Sequence, residues 1–124
     1  MLKVTEIACT FYPATDMARA RKFYEDVLGL KPTMVFGEPG SPQWTEYDIG
    51  SGTLALGAGL PDCQPRGDGG AVALEVENFE AAIAHLRTSG TKFKMEPFAS
   101  PVCQMALIFD PEGNAICIHK RNAK

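Results

Sequence analysis

The sequence lacks long apolar runs and any excess of basic residues. No window approaches the roughly 20 apolar residues that cross a bilayer, and the first residues contain no apolar core of a secretory signal. Lysine and arginine total 12 against 15 aspartate and glutamate, which gives a net charge of −3. A chain of this charge has no basic surface to hold a phosphate backbone. We therefore expect neither a membrane nor a nucleic acid as partner.

Clustered cysteines are also missing. Cys9, Cys63, Cys103 and Cys117 stand alone, with no CxxC pair and no zinc-finger spacing. Isolated cysteines in apolar runs usually behave as small buried hydrophobic residues. The pattern predicts reduced thiols and a cytoplasmic protein.

The composition that remains is that of an ordinary globular domain. Apolar residues make up 45% and charged residues 22% of the 124 residues, which excludes disordered and fibrous classes. A chain of this length buries about two-thirds of its extended surface on folding. It needs no disulfide to hold a core.

The hydrophobic pattern of the first half predicts the order β, α, β, β, β. The first strand is expected from Val4 to Phe11, closed by Pro13, and a helix follows with Asp16 as its N-cap and Gly29 at its end. Three short β-like runs are predicted at residues 33–36, 43–49 and 53–56. We assign this first module to residues 4–59.

The second half repeats the same order after a loop. Residues 60–70 are rich in proline and glycine and form the predicted linker. The second module, residues 71–121, has a strand at 71–76 and a helix capped by Asn78 and ended by Gly90. Strands are then predicted at residues 92–95, 104–109 and 115–119.

Glycine spacing indicates that the two halves are copies of one unit. Gly29 to Gly52 and Gly90 to Gly113 both span 23 residues. The corresponding offset of 61 places Leu56 on Cys117. Upstream, an offset one residue longer places Cys9 on Ala71 and Asp16 on Asn78, so the predicted fold is two βαβββ modules in tandem.

Two motifs carry a resemblance to a known family. DMARARKFYEDVLGL and DPEGNAICIH are similar to signatures of the vicinal oxygen chelate superfamily, which includes glyoxalase I, bleomycin-resistance proteins and extradiol dioxygenases. The resemblance implies one α+β domain over residues 1–124, whose mixed sheet is half open and encloses a ligand. It also implies a homodimer.

The usual metal positions of that family lack their usual residues here. Counted from the motifs, they are Cys9, Leu56, Ala71 and Cys117. Imidazole and carboxylate ligands suit the divalent metals of the family, whereas alanine and leucine bind none. We therefore expect no cofactor. The alternative is a soft-metal site built from Cys9, Cys117 and His119, since zinc accepts thiolate and imidazole.

Without a metal, an apolar cleft remains for a small molecule. The resemblance places the four positions counted above on the wall of this cleft, and strand alternation adds their neighbours on the same face. They are Cys9, Phe11, Trp44, Leu56, Ala71, Ala73 and Cys117.

Glu46, Glu75 and His119 are the polar candidates for acid or base chemistry. A carboxylate in a partly apolar cleft has a raised pKa, and histidine accepts a proton near neutral pH. A nucleophilic Cys9 or Cys117 with His119 as base is a further possibility.

Three functions follow from these residues. The first is binding of a small, mostly apolar or aromatic molecule without a metal. The second is a metal-dependent lyase, isomerase or dioxygenase with unusual ligands, and the third is a non-catalytic module that binds a partner.

Overall fold

The computed structural model describes residues 1–123 and divides the chain into two compact units, the first ending at Gln64 and the second beginning at Pro65. Each unit contains one four-stranded mixed sheet and one principal helix. The order βαβββ therefore occurs twice, as the sequence repeat predicts. No helix within residues 1–123 has both the length and the apolar character needed to cross a lipid bilayer.

The first unit is built on a sheet with strand order β1-β4-β3-β2. Its strands are β1 (Thr10–Ala14), β2 (Met34–Phe36), β3 (Gln43–Ile49) and β4 (Gly52–Ala58), and its helix is α1 (Met17–Lys22). β1 runs parallel to β4, and the other neighbours are antiparallel. The helix continues as one π-helical turn over Phe23–Val27.

The second unit repeats this arrangement with strand order β5-β8-β7-β6. Its elements are β5 (Val72–Glu75), α2 (Phe79–Thr88), β6 (Phe93–Ala99), β7 (Cys103–Phe109) and β8 (Ala115–Arg121). Again the first strand pairs in parallel with the last strand of the unit, here β8.

The predicted helix caps are confirmed. The Asp16 carboxylate accepts a hydrogen bond from the Arg19 amide at 3.1 Å, and the Asn78 side chain accepts one from the Ala81 amide at 3.0 Å. These contacts satisfy backbone donors that have no partner within the helix.

The first strand begins later than predicted. β1 runs from Thr10 to Ala14 and contains Pro13, whereas residues 1–8 are exposed and outside any strand. Pro13 is tolerated because β1 lies at the sheet edge and pairs only with β4. The predicted strand from Val4 to Phe11 is therefore wrong, and Cys9 precedes the sheet as a partly exposed residue.

One face of the first sheet is covered by α1. Tyr47 stacks on Tyr24 of the adjoining π-helical turn with ring centroids 6.1 Å apart, and the Thr45 hydroxyl contacts the Met17 sulfur at 3.6 Å. Leu56 pairs in register with Thr45 and lies on the same face. This helix-covered face is the core of the first unit.

The second sheet has the same division into two faces. Phe93, Ile108 and Ile116 are aligned across β6, β7 and β8. The Arg87 guanidinium of α2 lies 4.5 Å from the Phe93 ring centroid, which identifies this face as the covered one. Ile118 shares it, while Cys117 faces the other way.

The two halves differ by one residue in a hairpin turn. Ile49 and Gly52 are paired and enclose two residues, whereas the Asp110 amide donates to the Asn114 carbonyl across three residues. Beyond the turn the offset between the halves is therefore 62 instead of 61. This shift moves the counterpart of Cys117 from Leu56 to Ala55.

Candidate functional site

The open face of the first sheet carries a stacked aromatic pair. Phe11 of β1 and Trp44 of β3 have ring centroids 5.2 Å apart and planes inclined by 14°. β4 lies between these strands, and Gly57 is aligned with Trp44. A Cβ atom on Gly57 would lie 2.6 Å from Cε1 of Phe11. The glycine therefore makes room for the ring to cross β4 and reach Trp44.

Glu46 fixes the tryptophan side chain. The indole Nε1 of Trp44 donates a 2.8 Å hydrogen bond to Oε2 of Glu46, two residues further along β3. Both side chains are half-buried. The predicted sharing of one face by Trp44 and Glu46 is confirmed, and the carboxylate holds the indole in one orientation.

The same open face continues onto the edge strand β2. Phe36 is paired with Trp44, and Met34 is paired with Glu46, so both side chains point to this face. Phe36 is 66% exposed and Met34 is 41% exposed. We call the surface formed by Phe11, Trp44, Glu46 and Phe36 the aromatic face.

Leu56 does not belong to the aromatic face. It is fully buried and lies on the helix-covered side of the sheet. The prediction failed because the constant offset of 61 ignored the longer second hairpin turn. Ala55, which is aligned with Phe11 and Glu46, occupies the open-face position instead.

The open face of the second sheet brings together two pairs of predicted residues. Ala73 is aligned with Cys117, and Glu75 is aligned with His119. Ala71 is exposed and precedes β5, so it lies outside the paired strands.

Glu75 and His119 form a direct contact. Nδ1 of His119 and Oε1 of Glu75 are 2.6 Å apart, and Oε2 of Glu75 accepts a 2.7 Å hydrogen bond from the Arg121 amide. The Arg121 amide and the His119 side chain lower the pKa of Glu75. The expectation that an apolar cleft raises the pKa of this carboxylate is therefore wrong for Glu75, because these two hydrogen bonds favour its anionic form.

The Cys117 thiol is in a poor position for nucleophilic attack. Cys117 is only 5% exposed, and burial, together with the neighbouring Cys103, raises the pKa of its thiol. The thiolate is the reactive form of cysteine, so a raised pKa lowers reactivity at neutral pH. The structure gives no support to Cys117 as a nucleophile.

The donor set at the family's metal positions does not fit a divalent metal. Corrected for the hairpin, these positions are Cys9, Ala55, Ala71 and Cys117, and two of them carry only a methyl group. A thiol whose pKa is raised by burial is also a reluctant ligand. Among residues 1–123 there is no group of three or more His, Cys, Asp or Glu side chains that could hold a metal ion.

A pocket of about 540 Å³ lies in the second unit, where the β6–β7 turn meets the end of β8. Its lining includes His119, which the sequence singled out, together with Cys103 and Arg121, which it did not. The sequence alone does not reveal that Cys103 and Arg121 lie together, because this follows from the register in which β7 pairs with β8.

Comparison with protein families gives one match. The family model described as Glyoxalase/Bleomycin resistance protein/Dioxygenase superfamily matches residues 6–118. A search of curated protein sequences finds no significant match.

Solved structures share the fold at low sequence identity. TnmS3, an antibiotic binding protein from Streptomyces sp. CB03234, is 20% identical with a TM-score of 0.78, over 98% of this chain and 100% of its own. Leishmania major glyoxalase I is 22% identical with a TM-score of 0.76, over 94% of this chain and 87% of its own. A superfamily member from Sphaerobacter thermophilus is 19% identical with a TM-score of 0.74, over 96% of this chain and 99% of its own.

Proposed function

The chain belongs to the Glyoxalase/Bleomycin resistance protein/Dioxygenase superfamily, and on that premise we propose that it binds a small, mostly apolar or aromatic molecule without a metal. The observation that carries the proposal is the stacked Phe11–Trp44 pair on the aromatic face. Large planar side chains on an open surface supply area for stacking at little cost in conformational entropy. A planar ligand would extend this stack.

The contacts that hold Phe11 and Trp44 in place favour binding over catalysis. Glu46 is engaged with the indole of Trp44, and Gly57 lets the Phe11 ring lie against the sheet. A rigid surface of this kind loses little freedom when a ligand binds. The antibiotic-binding relative TnmS3 supports ligand capture as a use of this fold.

The test uses the single tryptophan as a reporter. Titration with 2-naphthol should quench Trp44 fluorescence in a saturable way, whereas cyclohexanol, which cannot stack, should leave it unchanged. Phe11→Leu keeps an apolar residue but removes the ring. Because aromatic stacking contributes about 1–3 kcal/mol, this variant should bind 2-naphthol about tenfold more weakly.

Phe98→Leu is the matched control, since it makes the same change at a 45% exposed phenylalanine in the second unit. It should bind 2-naphthol as the wild type does. Equal affinity of the Phe11→Leu variant would refute the aromatic face as the ligand site.

Metal analysis of protein purified without chelator tests the competing function. Stoichiometric zinc, nickel, manganese or iron, with an activity that is lost on chelation, would support a metal-dependent lyase, isomerase or dioxygenase instead. The methyl side chains at Ala55 and Ala71 lead us to expect metal well below one equivalent.

A further inference from the structure

The second unit has its own pocket, separate in sequence from the aromatic face. Its volume of about 540 Å³ is within the range of roughly 300–1,000 Å³ that is usual for small-molecule sites. The lining residues come from the β6–β7 turn, the start of β7 and the end of β8. They are Pro101, Val102, Cys103, His119, Arg121, Asn122 and Ala123.

Hydrogen bonds hold the rim of this pocket in place. The Ser100 hydroxyl accepts from the amides of Val102 and Cys103 at 3.2 and 3.1 Å. The Asn122 side-chain amide donates to the Pro101 carbonyl at 3.0 Å, and its backbone amide donates to the Val102 carbonyl at 2.9 Å. The turn is thereby tied to the end of β8, and the pocket is formed in advance of any ligand.

Arg121 is the one charged residue of the described lining, which contains no carboxylate and has the His119 imidazole beside it. Glu75 is not one of the lining residues. Its two oxygens accept from Nδ1 of His119 and from the Arg121 amide, and its charge also interacts with the Arg121 side chain. Pro101, Val102 and Ala123 supply apolar surface.

We propose that this pocket is a second ligand site that binds a small organic carboxylate with an apolar body. The Arg121 guanidinium pairs with the carboxylate, since arginine presents donors in a planar fork that matches it. Because Nδ1 of His119 donates to Glu75, the imidazole must also carry a proton on Nε2 to donate the second hydrogen bond to the ligand carboxylate. The apolar residues of the turn contact the body of the ligand. Glu75 is a positioning residue that fixes the orientation of the imidazole.

The experiment compares an acid with its neutral amide. Amide chemical shifts are followed by NMR while 2-naphthoate or 2-naphthamide is added to the ¹⁵N-labelled full chain. We expect saturable shifts from 2-naphthoate at Val102, Cys103, Arg121 and Asn122, and at least tenfold weaker binding of the amide. Equal binding of the two, or no saturation below about 10 mM 2-naphthoate, would overturn the proposal.

Two variants separate a specific contact from general charge. Arg121→Gln should weaken 2-naphthoate binding at least tenfold and leave 2-naphthamide unchanged. Lys120→Gln removes the same charge from the neighbouring residue, which is absent from the pocket lining, and should change affinity less than twofold. Equal losses in the two variants would show that only net charge matters.

Glu75→Gln tests the positioning role. The imidazole ¹⁵N shifts of His119 should move, because the charged partner of Nδ1 is gone, and 2-naphthoate affinity should fall several-fold. Unchanged imidazole shifts would refute that role. The outcome is independent of the aromatic face, since binding there is reported by Trp44 fluorescence and by shifts in the first unit.

Discussion

Gly57→Ala is the sharpest test of how the aromatic face is built. The added Cβ would lie 2.6 Å from Cε1 of Phe11 and 3.0 Å from Cδ1 of Leu60. The first distance is about 0.8 Å below the 3.4 Å at which ordinary carbon contacts begin. The Phe11 ring must therefore move by a comparable amount, which breaks its parallel contact with Trp44.

The energetic cost follows from two opposing effects. Overpacking typically destabilises by about 1–3 kcal/mol, while replacing a strand glycine by alanine contributes about 0.5–1 kcal/mol in the other direction. The free energy of unfolding should fall by about 1–2 kcal/mol, measured by urea denaturation. Trp44 emission should change, and 2-naphthol affinity should fall about tenfold.

Gly52→Ala is the matched control, because Gly52 begins the same strand and its added Cβ would meet only the Ile49 carbonyl at 3.6 Å. This variant should be as stable as the wild type or slightly more so. In a Phe11→Ala background, Gly57→Ala should cost much less, because only the 3.0 Å contact with the flexible end of the Leu60 side chain remains. A full loss of stability in that background would refute the reasoning, since the clash would then lie elsewhere.

Three further predictions concern stability and thiol reactivity. Arg21 lowers the pKa of Glu25 from 4.5, so the stabilisation from their pair is present above about pH 5 and is lost as the pH falls further. Urea denaturation should show Glu25→Gln about 1 kcal/mol less stable at pH 7 and equal to the wild type near pH 2. Asp110→Ala, which removes the acceptor of two backbone amides in a buried turn, should cost about 3 kcal/mol; a loss below 1 kcal/mol would contradict this. Iodoacetamide at pH 7.5 should label the exposed Cys63 and leave the buried Cys117 unmodified, as measured by mass spectrometry. Equal labelling of the two thiols would contradict the burial of Cys117.

The sequence predicts most elements of the fold because the signals involved are local. The caps at Asp16 and Asn78 and the strand at residues 43–49 depend on neighbours a few positions away. The end of β1 depends instead on whether Pro13 lies on an edge strand. That property belongs to the assembled sheet and has no local signal.

The candidate sites depend more strongly on pairing across strands. Glu75 and His119 are 44 residues apart, and only the register of β5 on β8 shows that they touch. The error at Leu56 has the same origin, since one extra turn residue reverses which face a strand position occupies. The sequence predicts which residues belong to the sites, whereas the contacts between them follow only from the register in which the strands pair.

The shortness of β2 limits what its exposed edge can do. Met34, Val35 and Phe36 are 41%, 53% and 66% exposed, and β2 is the last strand of its sheet. An apolar edge strand normally templates the addition of strands from other molecules. Three residues offer too few hydrogen bonds to propagate a sheet, so the chain can display apolar side chains at this edge with little risk of aggregation.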